Sequence, residues 1–116
     1  MRYLLLIYGD ESHWAEMGEE ETAADMGRWA AYSEAIGAEG ILRGGDALQP
    51  TAAATTVRVR DGETQVTDGP FAETREQLGG YYMIDCESLD QAIDAARRIP
   101  SVGLGSVEVR PIMEFD

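Results

Sequence analysis

The chain has 116 residues, 22 acidic against nine basic side chains, a formal net charge of −13 and 44% hydrophobic residues. That is one domain's worth of core and not a disordered composition, and the negative surface disfavours nucleic acid and anionic lipid as partners. All nine basic residues are Arg, with Lys and Asn absent in the manner of codon bias, so Schiff-base and phosphate-loop lysine chemistry are excluded.

Tyr3-Leu4-Leu5-Leu6-Ile7-Tyr8 is the longest apolar run. It is too short to span a bilayer or to serve as a signal peptide's apolar region, and it reads as a strand buried on both faces. The single cysteine, Cys86, allows no internal disulfide and fits a reducing compartment, so a cytoplasmic location is expected. An acidic loop follows over residues 9–21. A helix is expected from Glu19 to Ile36, with Met26, Trp29, Ser33 and Ile36 recurring at steps of three and four and Tyr32 beside them. Its acidic start suits the positive end of the helix dipole, and Gly37 is the expected stop.

Ile41 to Leu48 reads as a second strand, with Gly44-Gly45 marking a bulge or a close backbone approach. Val57 and Val59 alternate with Arg58 and Arg60 ahead of Asp61-Gly62, a strong two-residue turn signal. The turn predicts that Arg60 opposes Glu63, Arg58 opposes Gln65 and Val57 opposes Val66. Tyr81 to Ile84 reads as the next strand. Ser88 and Gln91 form a capping-box pattern before Leu89, Ala92, Ile93, Ala96 and Ile99, and Pro100 ends that helix. A last strand carries Val107, Val109 and Met113 on one face and Glu108, Arg110 and Glu114 on the other. The order predicts an α+β fold, a ferredoxin-like sandwich with an antiparallel sheet and an extra β-hairpin. Two helices cover one face of such a sheet, yet the first strand is apolar on both. A homodimer packed sheet to sheet is therefore expected.

The string VTDGPFAETREQLGGYYMID at Val66–Asp85, with MRYLLLIYGDE, GGDALQPTAAATTVRVRDG and GSVEVRP elsewhere, closely resembles the YciI-related (YCII domain) proteins of the DGPF group. The resemblance spans nearly the whole chain. It implies a ferredoxin-like fold paired into a dimeric α+β barrel, and a functional link to extracytoplasmic-function (ECF) sigma factors. Better studied YciI-like relatives are proposed to be enzymes using a His–Asp pair with the histidine in the first helix. Here that helix has Trp29 and Tyr32 and no histidine.

Among the side chains, Asp68 sits at a strand end beside Gly69-Pro70. There a carboxylate suits a general base or a ligand contact, or accepts backbone N–H bonds across its own turn. Pro70 and Phe71 read as a rigid corner and a core plug. Glu73 and Arg75 line either a ligand cleft or a solvated loop. Tyr81 and Tyr82 point to opposite faces, one to the core and one to the inter-sheet cavity. Asp46 is a further ligand-binding candidate at a strand end. His13, the one histidine, lies near Asp10, Glu11 and Glu16, as a metal ligand, a proton shuttle or an exposed loop residue. No metal spacing, nucleotide fingerprint or nucleophile elbow is present, so no metal or cofactor is expected. The expected function is a small dimer binding a small molecule or a regulatory partner in stress or signalling. The alternative is a cofactor-independent hydrolase, lyase or isomerase with Asp68 as acid or base.

Overall fold

The first strand, β1 (Arg2–Gly9), buries every second residue. Tyr3, Leu5 and Ile7 sink into the core, while Leu4, Leu6 and Tyr8 stay half-buried. The computed structural model describes residues 1–115. Within one chain β1 is thus covered on one face only, where its sequence reads as buried on both. A five-residue helix, α1 (Glu11–Ala15), stands where the sequence suggests loop. Asp10 caps it, accepting bonds from the Ser12 N–H and hydroxyl at 3.0 and 2.6 Å.

The long helix α2 (Glu19–Ala38) runs two residues past Ile36. Gly40, at φ +78°, takes the left-handed position expected of Gly37. Only Tyr32 and Ile36 of α2 are buried. Met26 is 66% exposed, at the edge of a cleft that the middle of α2 borders.

Strand β2 (Leu42–Ala47) has its irregularity between Leu42 and Gly44, so Arg43 is the residue left over. Gly45 answers to close approach: a Cβ there would lie 2.7 Å from the Tyr81 carbonyl oxygen. After a 3₁₀ turn at Thr51–Ala53, strands β3 (Thr55–Arg60) and β4 (Glu63–Asp68) form the hairpin. Its register is the expected one, Arg60 with Glu63, Arg58 with Gln65 and Val57 with Val66. Asp61 (φ 51°) and Gly62 (φ 78°) give the two left-handed residues such a turn needs.

Strand β5 (Gln77–Asp85) is longer than its aromatic centre suggests. Ile7 pairs with Gly80 and Tyr8 with Leu78, so Gly79 is the bulge. Helix α3 (Leu89–Arg97) has its capping box. The Ser88 hydroxyl accepts from the Gln91 N–H, and the Gln91 side chain accepts from Glu87 N–H. Its buried face is Ala92, Ala95 and Ala96, whose small side chains let the helix lie close to the sheet. Leu89 and Ile93 are about half exposed, not core. Strand β6 (Ser106–Pro111) ends the sheet, with Val107 and Val109 packed against the core; Met113 lies beyond it and is exposed.

The four-stranded sheet is antiparallel throughout, in the order β2-β5-β1-β6, and β3-β4 forms a separate two-stranded sheet. With the hairpin set aside, the connectivity is βαβ-βαβ with β1 and β5 central, the split arrangement expected. Tyr3, Leu5, Ile7 and Ile84 from the sheet meet Tyr32, Ile36, Ala92, Ala95, Ala96 and Ile99 from the helical layer in one core. The radius of gyration is 16.2 Å, against about 13 Å for a compact chain of this length. The hairpin accounts for the excess reach: it stands apart from the sandwich with Val57, Val59 and Val66 exposed. No helix among the described residues is long and apolar enough to cross a membrane.

Candidate functional site

A cleft of about 670 Å³ opens between α1, the middle of α2, and the neighbouring ends of β2 and β5. Trp14 and Ala15 come from α1; Met26, Trp29 and Ser33 come from α2. The cleft is also lined by residues 45–50 and 77–82.

Aromatic packing holds its wall. Tyr82 points to the helix-covered face, where its ring lies nearly parallel to Trp29 (centroids 6.4 Å apart, 14° between planes) and edge-on to Tyr32 at 5.3 Å. Its hydroxyl shares a 2.7 Å hydrogen bond with Ser33 Oγ. Trp29 Nε1 donates to Asp25 at 3.1 Å, which fixes the indole from behind. Deeper still, the Tyr32 hydroxyl donates to the Ala95 carbonyl at 2.7 Å, and burial pushes this phenol well above its ordinary pKa.

Glu11 ties the 3₁₀ turn to α1 beside the cleft. Its carboxylate accepts from Thr51 N–H at 3.0 Å and from the Thr51 hydroxyl, while its own N–H donates to Gln77 Oε1 at 3.0 Å. One residue thus joins α1, the 3₁₀ turn and the start of β5.

The residues picked out by sequence divide among three places. Asp46, Tyr81 and Tyr82 all border the cleft, Tyr82 from the helix-covered face of the sheet and the bonded Asp46–Tyr81 pair from the other face. Tyr81 faces the uncovered side of the sheet, opposite to Tyr82, and donates its hydroxyl to Asp46 at 2.8 Å. That bond raises the phenol's pKa, since ionising it would place two anions side by side. His13 sits in α1, exposed, on a separate cleft of about 230 Å³ with Asp10 and the buried Ser101. Asp10 is held below the ordinary carboxylate range by its bonds to Ser12. Asp68, Glu73 and Arg75 are exposed and line neither cleft. Asp68 ends β4 opposite Thr55, on the same face of the hairpin as Val57 and Val66. The neighbouring Phe71 is 77% exposed and does not plug the core; its carbonyl accepts from Arg58.

Sequence reasoning missed Trp14 and Gln77 and treated Glu11 only as a neighbour of His13. Asp10 followed by Glu11 is a cap-and-dipole pattern that marks α1, and α1 brings Trp14 and Glu11 to the cleft. Trp29 and Ser33, four residues apart, share a helix face that reads as core and in fact looks into the cleft.

Among known proteins, the chain is similar to an uncharacterised protein of Rhizobium meliloti (strain 1021), 46% identical over 114 residues, covering 97% of this chain and 92% of the relative. Residues 1–116 match the YCII-related domain as a whole. On that full-length match the chain belongs to the YCII-related domain family.

Proposed function

We propose that this protein is a homodimer that binds a small organic molecule in the cleft between α1, α2 and the ends of β2 and β5. The observation that supports ligand binding most is the cleft itself. It has the volume of a small-molecule site, aromatic walls from Trp14, Trp29 and Tyr82, and a few polar groups (Ser33, Gln77 and Glu11) held in place by hydrogen bonds.

Two uncovered apolar surfaces support the dimer. Leu4, Leu6, Tyr81 and Met83 share the sheet face that no helix covers, as their register shows. The hairpin exposes Val57, Val59 and Val66, and a lone two-stranded hairpin has marginal stability. Face-to-face packing of two sheets covers the first surface and generates a dimeric α+β barrel. The second reading, a cofactor-independent enzyme with Asp68 as acid or base, needs Asp68 to reach a cleft it does not line within its own protomer.

The test is a thermal-shift screen of a metabolite collection against wild type, Trp29→Ala and Asp68→Ala, with the mass measured by light scattering. A hit retained by Asp68→Ala and lost in Trp29→Ala, at twice the mass of one chain, is the expected result. A hit lost in a folded Asp68→Ala instead favours the enzyme reading. A single-chain mass at micromolar concentration counts against the dimer.

A further inference from the structure

We propose that the ligand of this cleft is an organic cation, an amine or quaternary ammonium on an apolar body; this rests on the reading that the cleft binds a small molecule. Three features of the lining favour a cation over an anion or a neutral solute.

The first is charge. Among the described residues that line the cleft none is basic, while Glu11 supplies a carboxylate. The chain's net charge of −13 adds a negative field around the opening, and Glu19, Glu20 and Glu21 begin the helix that borders it. A phosphate or carboxylate entering here would meet no guanidinium and would lose its water without compensation.

The second is the wall. Trp14, Trp29 and Tyr82 line the cleft, with Trp29 and Tyr82 nearly parallel to one another and Met26 also in the wall. The negative face of an indole attracts an ammonium group, and tryptophan does so best of the aromatic residues. Trp29 is tuned further in that direction: its N–H donates to the Asp25 carboxylate, which pushes electron density into the ring.

The third is spare capacity. Each Glu11 carboxylate oxygen takes one bond from Thr51, and an ionised carboxylate has room for about four. Glu11 can therefore hold Thr51 and still accept from an ammonium group. The Ser33–Tyr82 hydroxyl pair offers further acceptors on the opposite wall.

The proposal is tested by magnetic-resonance titration of the full chain, reading the indole N–H signals of Trp14 and Trp29. The probes are benzyltrimethylammonium, benzyl alcohol and benzoate, similar in their aromatic body and different in charge. The expected order is the cation about tenfold tighter than the alcohol, benzoate weakest, and cation affinity falling as salt rises. In Glu11→Gln, which keeps an acceptor for Thr51, cation affinity falls about fivefold while alcohol affinity holds; a merely structural role for Glu11 would move both. Trp29→Ala, checked for folding by its melting curve, loses both probes. Equal binding of cation and alcohol, with both lost in Trp29→Ala, overturns the cationic ligand and leaves the cleft as a small-molecule site. Cation binding unchanged in Trp29→Ala, or benzoate binding as tightly as the cation, overturns the proposal; the first of these also removes the cleft.

Discussion

The sandwich and the hairpin are both built of antiparallel strands, yet different things hold them. In the sandwich, β1 and β5 bury Tyr3, Leu5 and Ile84 beneath two helices. In the hairpin, β3 and β4 pair residue for residue from Thr55–Asp68 to Arg60–Glu63, yet every residue of β4 is exposed. In the hairpin, register comes from local chemistry: a turn, an alternation, a cross-strand pair. Burial does not. It depends on what lies above the strand, and for the valine stripe nothing within one chain does.

The largest expected effect separates the two regions most sharply. Leu5 has no exposed surface, so Leu5→Ala should lower unfolding stability by about 3 kcal/mol in denaturant titration. The double substitution Val57→Ala and Val66→Ala should change the stability of a lone chain by less than about 0.5 kcal/mol, since both valines are more than 60% exposed. A cost that grows with protein concentration would erase that contrast and would place the stripe in the proposed dimer.

A smaller effect is expected from Tyr32→Phe. The buried Tyr32 hydroxyl donates to the Ala95 carbonyl, tying α2 to α3. Its loss leaves that acceptor without this donor, and stability should fall by about 1–2 kcal/mol. The same unfolding titration checks it, with little effect on ligand binding expected because Tyr32 does not line the cleft.

The hairpin has its own sensitive point. Gly62 sits at φ 78° with open space around it, so Gly62→Ala meets backbone strain and no clash. The cost should be about 1 kcal/mol. Because the hairpin stands apart, that cost should appear as faster hydrogen exchange at Arg58 and Gln65, a hydrogen-bonded pair of its ladder, with the sandwich amides unchanged. Faster exchange across both regions would show that they unfold as one unit.

The same contrast explains what the sequence discloses. The hairpin register was legible because Asp61-Gly62 admits few turns and the facing pairs then follow. The α3 capping box was legible because Ser88 and Gln91 act on backbone only three and four residues away. The exposure of Met26, Ile93 and Phe71 was not legible, since an apolar residue at core spacing reads the same over a sheet, over a cleft or in the open. The candidate site was half legible for a related reason. Strand-end position brought Asp46, Tyr81 and Tyr82 into view, but the cleft's far wall comes from α1, a helix too short for periodicity to reveal.

The smallest expected effect concerns the sandwich alone. Arg98 at the end of α3 grips Glu39 at the end of α2 through two bonds of 2.8 and 2.9 Å. The hydrogen bonds from Arg98 hold the Glu39 carboxyl below its ordinary pKa. Both side chains are partly in solvent, Glu39 at 42% exposure, so the pair should stabilise the fold by only about 0.5 kcal/mol. Since the folded pKa is the lower one, that contribution is present above the ordinary glutamate range. It is lost as pH falls through the lowered folded value. Melting curves of wild type and Glu39→Gln should therefore coincide in strong acid and separate as the pH rises through about 3 to 5. If the two stay together at neutral pH, the bidentate contact contributes nothing, and the helices are held to each other by Tyr32 and the alanine face of α3 alone.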